Sequence, residues 1–216
     1  MTEILQNLPQ VRGEYKINEP LKKYTWLNVG GNADVMFFPK DEKDLQSFLK
    51  QNAFHLPIFV LGSGSNLLVR DGGISGVVVK LSSPYFAGWQ LKDDILTVGC
   101  GLKNAALKKI LLENEIGGLE FICSIPGSIG GLVRSNAGCF GSDLAKVLLK
   151  AKVIDGKGNI FEVDAKDFHF AYRHSDFPAD WILLQLFLKA EKSSAENIKS
   201  LIEQNAAYRK EHQPQN

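Results

Sequence analysis

Four things are scarce or missing in this chain: paired cysteines, an excess of one charge, a long apolar run and a repeat. Only three cysteines occur in 216 residues, Cys100, Cys123 and Cys139. An odd number with no Cys-x-x-Cys spacing argues against a disulfide framework and a zinc site, and fits a reducing cytoplasm. Lys and Arg number 25 against 24 for Asp and Glu. No long-range basic field is therefore available to hold nucleic acid or an anionic membrane, and any anion site must be local. No segment approaches the roughly 20 apolar residues of a membrane span. Residues 1–10 show no basic stretch followed by an apolar run, so neither an export signal nor an anchor is expected. What remains is a chain with 44% hydrophobic residues, enough to bury one substantial core or two modest ones.

Residues 1–23 are mixed and polar, with Pro9 and Pro20 interrupting any helix, and predict a loosely structured arm with the fold beginning near Tyr24. Val35 to Phe38 reads as a strand. Asp41 then caps a helix carrying Leu45, Phe48 and Leu49 at helical spacing, and Ile58 to Leu61 is a second strand. Leu67 to Val69, the Asp71-Gly72-Gly73 turn and Val77 to Leu81 carry a strand-turn-strand signature. A second unit follows, with a strand at Ile95 to Val98 and a helix over Asn104 to Asn114 that carries Leu107, Leu111 and Leu112. After a glycine-rich stretch from Gly117 to Gly141, Val153-Ile154 and Ile160 to Val163 form a hairpin about Asp155-Gly156-Lys157-Gly158. Trp181 to Leu188 is the most hydrophobic strand. Ser193 with Glu196 forms a capping box for a last helix with Ile198, Leu201 and Ile202 as its stripe. The pattern is α+β.

Three glycine-rich turns are candidate sites. Leu61-Gly62-Ser63-Gly64-Ser65-Asn66 directly follows a strand, where bare backbone N–H groups can converge on a phosphate. Leu67 stands where a dinucleotide-fold fingerprint needs its third glycine, and no Gly-Lys-Ser/Thr follows, so neither that fingerprint nor a P-loop is present. A tight turn with polar filling is the other reading. Ile125-Pro126-Gly127-Ser128-Ile129-Gly130-Gly131 and Asn136-Ala137-Gly138 crowd glycines where each disfavours regular structure by up to about 1 kcal/mol. Close approach of backbone to a flat or phosphorylated ligand would compensate, and so would an elaborate buried turn. Val29-Gly30-Gly31 has the same character, or is an ordinary turn before a strand. Tyr172-Arg173-His174-Ser175 could fix a guanidinium against a carboxylate or phosphate, although loop arginines are commonly solvated. His174 reads as a surface histidine, and Cys123 and Cys139 as small apolar packing. No residue set suggests a metal.

Taken in order, these segments resemble the UDP-N-acetylenolpyruvoylglucosamine reductase family. Thr25 to Ala33 (TWLNVGGNA) is similar to the family's opening motif, and Leu61 to Gly73 (LGSGSNLLVRDGG) to its first flavin loop. Ile125 to Gly131 with Asn136 to Gly138 resembles the second flavin loop, and Tyr172 to Ser175 the catalytic-arginine motif. The resemblance runs from about residue 15 to the C-terminus. It implies a two-subdomain FAD-binding fold of the vanillyl-alcohol oxidase/PCMH type, with an arm at 1–23, subdomains at 24–82 and 83–192, and a C-terminal helix at 193–216 leading to a substrate domain not found in the sequence.

By that resemblance FAD binds non-covalently. Its contacts fall on Gly30, Gly31, Gly62, Ser63, Gly64, Ser65, Asn66, on Ile125, Pro126, Gly127, Ser128, Gly130, Gly131, and on Asn136, Ala137, Gly138. NADPH is the implied co-substrate, and UDP-N-acetylglucosamine enolpyruvate the implied substrate of a cytoplasmic step in peptidoglycan precursor synthesis. Tyr172 and Arg173 would bind that substrate, with Arg173 catalytic. The family's proton-donating serine and assisting glutamate belong to the third domain, and no counterpart is identified here. Arg134-Ser135 also departs from the apolar residues expected before Asn136. A non-catalytic FAD-binding remnant, or another flavin oxidoreductase of the same fold, stays open as an alternative.

Overall fold

The computed structural model describes residues 4, 6–52 and 56–213. Residues 1–3 and 5 of the expected arm, and Pro214 in the stretch expected to precede a third domain, lie outside the described residues.

The first sheet comprises β1 (Glu14–Pro20), β2 (Asn32–Phe38), β3 (Ile58–Val60) and β4 (Ile74–Val79), in the order β1-β2-β4-β3. β1 runs antiparallel to β2, with Glu14 opposite Phe38 and Pro20 opposite Asn32. β4 runs parallel to both neighbours, placing Val77 opposite Val35 on one side and Ile58 on the other. Helix α1 (Glu42–Gln51) links β2 to β3. The Asp41 carboxylate caps it by accepting from the Asp44 N–H at 2.9 Å, and Leu45, Phe48 and Leu49 form its buried face, which is the capped amphipathic helix its spacing predicts.

Two expectations change here. The segment expected to be loose contains an edge strand, β1, and what fixes it is remote in sequence. The Asp44 carboxylate, only 1% exposed, accepts from the backbone N–H groups of Arg12 and Gly13 as well as Lys40. The Tyr15 ring lies 5.2 Å from Phe37 and 6.4 Å from Phe48, centroid to centroid. The expected hairpin over 67–81 does not form either. Leu67 to Val69 is not a strand, and β3 and β4 are parallel neighbours, so residues 61–73 make a crossover connection. The Asp71-Gly72-Gly73 turn seats against Gly31: the Arg70 carbonyl accepts from both the Gly31 and the Gly73 N–H.

Downstream come β5 (Trp89–Lys92), β6 (Ile95–Gly99), the two-residue strands β7 (Ile116–Gly117), β8 (Gly138–Cys139) and β9 (Ser142–Asp143), then β10 (Leu148–Ile154), β11 (Ile160–Asp164), β12 (Ile182–Lys189) and β13 (Glu191–Lys192). Among the described residues, β11-β10-β12-β6-β5 form an antiparallel five-stranded sheet. β5 lies outside the sequence reading; it pairs with β6 through a turn at Asp93-Asp94, with Asp93 left-handed at φ 51°. Helices α2 (Asn104–Glu113), α3 (Glu120–Cys123) and α4 (Ala195–His212) pack beside this sheet.

β12 is nearly all apolar because it serves two cores. Ile182 and Leu184 join Val35, Phe37, Phe48 and Val77, while Leu183, Leu186 and Leu188 join Leu107, Leu111, Ile122 and Ile198. Phe48 is fully buried in the first of these, with its ring 4.7 Å from that of Phe37. Phe48→Ala is therefore expected to cost about 3–5 kcal/mol, read as a lower urea midpoint with an unchanged slope. Polar contacts fix the two sheets as well: Lys152 Nζ sits 2.7 Å from the Glu42 carboxylate, and Gln46 donates to the Gly158 carbonyl at 2.8 Å. The cap of α4 is Ser194, one residue after the expected Ser193; its Oγ accepts from the Asn197 N–H. Ser193 Oγ instead takes the Asn197 side-chain amide. Leu201 is 37% exposed, which reduces the buried stripe of α4 to Ile198 and Ile202.

Candidate functional site

Because β3 and β4 end side by side, residues 62–66 leave the sheet at its carboxyl edge, held there by the Leu61 N–H donating to Val79 at 2.9 Å. Gly64 has φ +65°, and a Cβ there would meet the Tyr24 carbonyl at 2.1 Å. Its own carbonyl accepts from the Trp26 N–H at 3.1 Å. Only glycine fits that position, and the segment 24–26 acts as its backstop. Among the described residues, no backbone N–H of 62–66 donates to a protein acceptor.

The second loop, 125–131, is clamped from behind by the connection between β6 and α2. The Asn104 N–H donates to the Gly127 carbonyl, Asn104 Nδ2 to the Ile125 carbonyl, the Ile129 N–H to Leu102, and the Gly130 N–H to Cys100. Asn104 is fully buried, and its Oδ1 finds no protein partner. The N–H groups of Gly127 and Ser128 are likewise free of protein acceptors among the described residues. The clamps hold the Ile125 and Gly127 carbonyls and the Ile129 and Gly130 amides from behind, so the amides this loop leaves unengaged are those of Gly127 and Ser128.

The two loops meet. Ser65 Oγ donates to the Pro126 carbonyl at 3.1 Å, and both loops line one cleft of about 1460 Å³. A Cβ on Gly62 would meet only Ser128 Oγ at 2.8 Å, and one on Gly127, at φ +141°, only Ser65 Oγ and Asn104 Nδ2 at 3.4 and 3.5 Å. These glycines keep side chains out of a seam lined with unengaged amides, a surface suited to phosphate oxygens.

Of the residues expected at the site, Gly62, Ser63, Gly64, Ser65, Asn66, Ile125, Pro126, Gly127, Ser128, Gly130, Gly131, Ala137, Gly138 and Arg173 line this cleft. Gly30 and Gly31 do not. A Cβ on Gly31 would meet the Asp71 carbonyl at 2.0 Å and one on Gly30 the Val69 side chain at 2.6 Å, so close packing on the crossover explains both. Asn136 is buried and left-handed at φ 39°; its amide accepts from the Ala145 N–H and donates to the Ala171 carbonyl. It supports the loop instead of facing the cleft, and borders a smaller adjoining cavity of about 410 Å³ together with Tyr172.

Ala171 and His174 exchange backbone hydrogen bonds across a tight turn whose tip is Tyr172-Arg173. Arg173 is left-handed at φ 55°. Its Nη2 donates to the Gly138 carbonyl at 3.1 Å, and its guanidinium lies 5.4 Å from the Tyr172 ring centroid. It borders both cavities, whereas Tyr172 is 90% exposed. Burial pushes the Cys100 thiol up, lifts Cys123 to about 12 and raises Cys139. Such thiols are poor nucleophiles, and Cys100 Cβ packs 2.9 Å from where a Cβ on Gly130 would stand.

The cleft also takes in residues the sequence did not assign to the site: Lys80, Asn104, Arg134, noted only as a departure from the expected apolar residues, and Tyr208, Arg209 and Gln213 at the end of α4. Arg209 donates to the Ser124 carbonyl, and the Tyr208 ring stands edge-on to Phe140 at 5.7 Å. Asn104 had a local signal, a polar residue on the apolar side of its helix. The others had none, because tertiary contact alone brings them in. Among the described residues no helix is long and apolar enough to cross a membrane, and no group of His, Cys, Asp and Glu could hold a metal ion.

Two glycine loops joined over a dinucleotide-sized cleft, on paired α+β lobes, define a flavin-nucleotide-binding fold. Residues 33–164 match the family described as FAD binding domain. BBE-like 1 from Physcomitrella patens shares the fold, with a TM-score of 0.65 at 17% identity over 88% of this chain and 44% of that one. The crystal structure of UDP-N-acetylenolpyruvylglucosamine reductase from Thermus caldophilus superposes with a TM-score of 0.81 at 30% identity, covering 95% of this chain and 72% of that one. UDP-N-acetylenolpyruvoylglucosamine reductase of Rickettsia rickettsii (strain Sheila Smith) is 44% identical over 191 residues, which is 88% of this chain. The chain belongs to the UDP-N-acetylenolpyruvoylglucosamine reductase family. It spans 64% of the length of that rickettsial relative.

Proposed function

We propose that this chain binds FAD non-covalently, with the diphosphate against residues 62–66, 125–131 and 137–138, with Asn136 behind them, and forms the flavin-holding part of a reductase of peptidoglycan precursor synthesis. NADPH is the reductant, UDP-N-acetylglucosamine enolpyruvate the substrate and the cytoplasm the setting. The observation that carries this reading is the meeting of two loops, distant in sequence, whose unengaged amides share one cleft. Two features fit the cofactor: the seam that a Cβ would fill, and the free N–H groups. At about 1460 Å³ the cleft exceeds the roughly 300–1,000 Å³ of ordinary small-ligand pockets.

The chemistry FAD supplies when bound is hydride transfer, from NADPH to the enolpyruvyl carbon. The loop amides hold the diphosphate without a side chain. Arg173, with Tyr172 beside it, holds the substrate carboxylate and favours the negative charge that builds on the adjoining carbon, a contact stronger in the transition state than before it. The four-stranded lobe (24–82, with β1 added) and the five-stranded lobe (83–192) serve as the two subdomains. Residues 193–216 lead toward a substrate-binding part of the kind the relatives' remaining length could supply.

Incubation with FAD followed by gel filtration is expected to yield a yellow protein with stoichiometric flavin. A colourless protein after that treatment would end this reading.

A further inference from the structure

Lys80 immediately follows β4, and the parallel pairing of β3 and β4 places it beside the first glycine loop, where its Nζ donates to the Gly62 carbonyl at 2.6 Å. Its ammonium also stands 5.7 Å from the Tyr24 ring centroid. Lys103 approaches from the other side, at the start of α2, with its backbone bridged to Ser128 of the second loop. Both residues line the cleft, and among the described residues neither has a carboxylate within 4 Å. Burial first, and the charge of Lys103 second, pull the Lys80 ammonium below its ordinary pKa. Two cations that repel one another with no acid beside them, one of them partly buried, make a place that favours an anion.

We propose that Lys80 and Lys103 are the charge-bearing residues of the diphosphate seat, one from behind each glycine loop. On this assignment the loop amides shape the site and the two ammonium groups neutralise what it holds. Lys80 further couples the two functions, because the same Nζ that steadies the Gly62 carbonyl stands within the cleft wall. The assignment rests on the proposal that the cleft receives a diphosphate-bearing flavin, and it adds residues that lie outside all three glycine motifs.

The test compares ligands with and without phosphate on the whole chain. Dissociation constants are measured for FAD, ADP, inorganic pyrophosphate and riboflavin, at low and high salt, with the wild type and with Lys80→Met, Lys80→Arg and Lys103→Met. Met keeps the aliphatic stem and removes the charge. Each Met variant is expected to weaken FAD, ADP and pyrophosphate by roughly 10- to 100-fold, the range of a charge-assisted contact. Riboflavin should bind as before, the salt dependence of FAD binding should flatten, and Lys80→Arg should restore most of the affinity. An equal loss for riboflavin and FAD would make Lys80 a strut for the loop and overturn the proposal, as would unchanged pyrophosphate affinity in both Met variants. Lys103→Met repeats the comparison at a second site if Lys80→Met fails to fold. A wild type that binds pyrophosphate through these lysines but retains no FAD would sink the flavin reading and leave the anion seat standing. A wild type that binds neither sinks both.

Discussion

Gly62→Val is expected to abolish flavin retention while leaving the melting temperature within a few degrees of the wild type. The two effects separate because Gly62 is a glycine whose absent side chain the fold does not need. Its backbone is not in the left-handed region, and the single atom an added Cβ would crowd is Ser128 Oγ, at 2.8 Å, the rotatable end of a small side chain. The protein can absorb that contact. A ligand between the loops cannot, since the isopropyl group would stand in the seam where the amides of 62–66 approach it. Losing two amide contacts to a charged phosphate, at about 1.5–3 kcal/mol each, lowers the affinity by at least roughly 100-fold. Gly64→Ala makes the control: with φ +65° and the Tyr24 carbonyl 2.1 Å from the added Cβ, it should lose fold and flavin together. Flavin titration and thermal melts on the two variants settle the matter. Retained stoichiometric flavin in Gly62→Val would mean that the seam is not where the diphosphate lies.

The glycine loops were legible in the sequence because the signal is local: glycines crowded at the end of a strand need a compensation, and backbone approach to a ligand supplies one. That signal does not distinguish a glycine facing a ligand from one facing its own chain. Gly31 and Gly62 look alike on paper, yet Gly31 is packed against the Asp71 carbonyl and Gly62 lines the cleft. The same limit produced the false hairpin. Asp71-Gly72-Gly73 does turn, but it turns into Gly31, and β4 finds parallel partners across the crossover. β1 was missed because its fixing points, Asp44, Phe37 and Phe48, lie well down the chain, whereas Pro9 and Pro20 sit in the segment itself. α1, the 153–163 hairpin and β12 were legible for the opposite reason: cap, turn and apolar run are all contained in a few neighbouring residues. Lys80 and Lys103 belong with β1, since only the pairing of β3 with β4 and the bridge to Ser128 bring them to the loops.

Arg173→Ala is expected to cut hydride delivery to the enolpyruvyl sugar nucleotide by about 10²–10³-fold, the usual loss when a fixed donor to developing negative charge is removed. The assay belongs in a chain extended by the C-terminal third of a rickettsial relative, so that the substrate has its remaining contacts. Retention of FAD, and its reduction by NADPH, should stay within about threefold of the wild type, since neither step asks for a guanidinium against the substrate carboxylate. The competing account is structural. Arg173 donates to the Gly138 carbonyl at 3.1 Å and occupies a left-handed turn position, so its loss could loosen the second loop and harm both half-reactions alike. Arg173→Gly separates these cases, because glycine fits φ 55° without strain and removes only the side chain. If the turn were the issue, glycine would recover activity that alanine loses. If the charge were the issue, glycine and alanine would fail together, and Arg173→Lys would return part of the rate, keeping the positive charge but not the forked geometry. A parallel fall in both half-reactions across all three variants would remove Arg173 from the chemistry and leave it as a brace for Gly138.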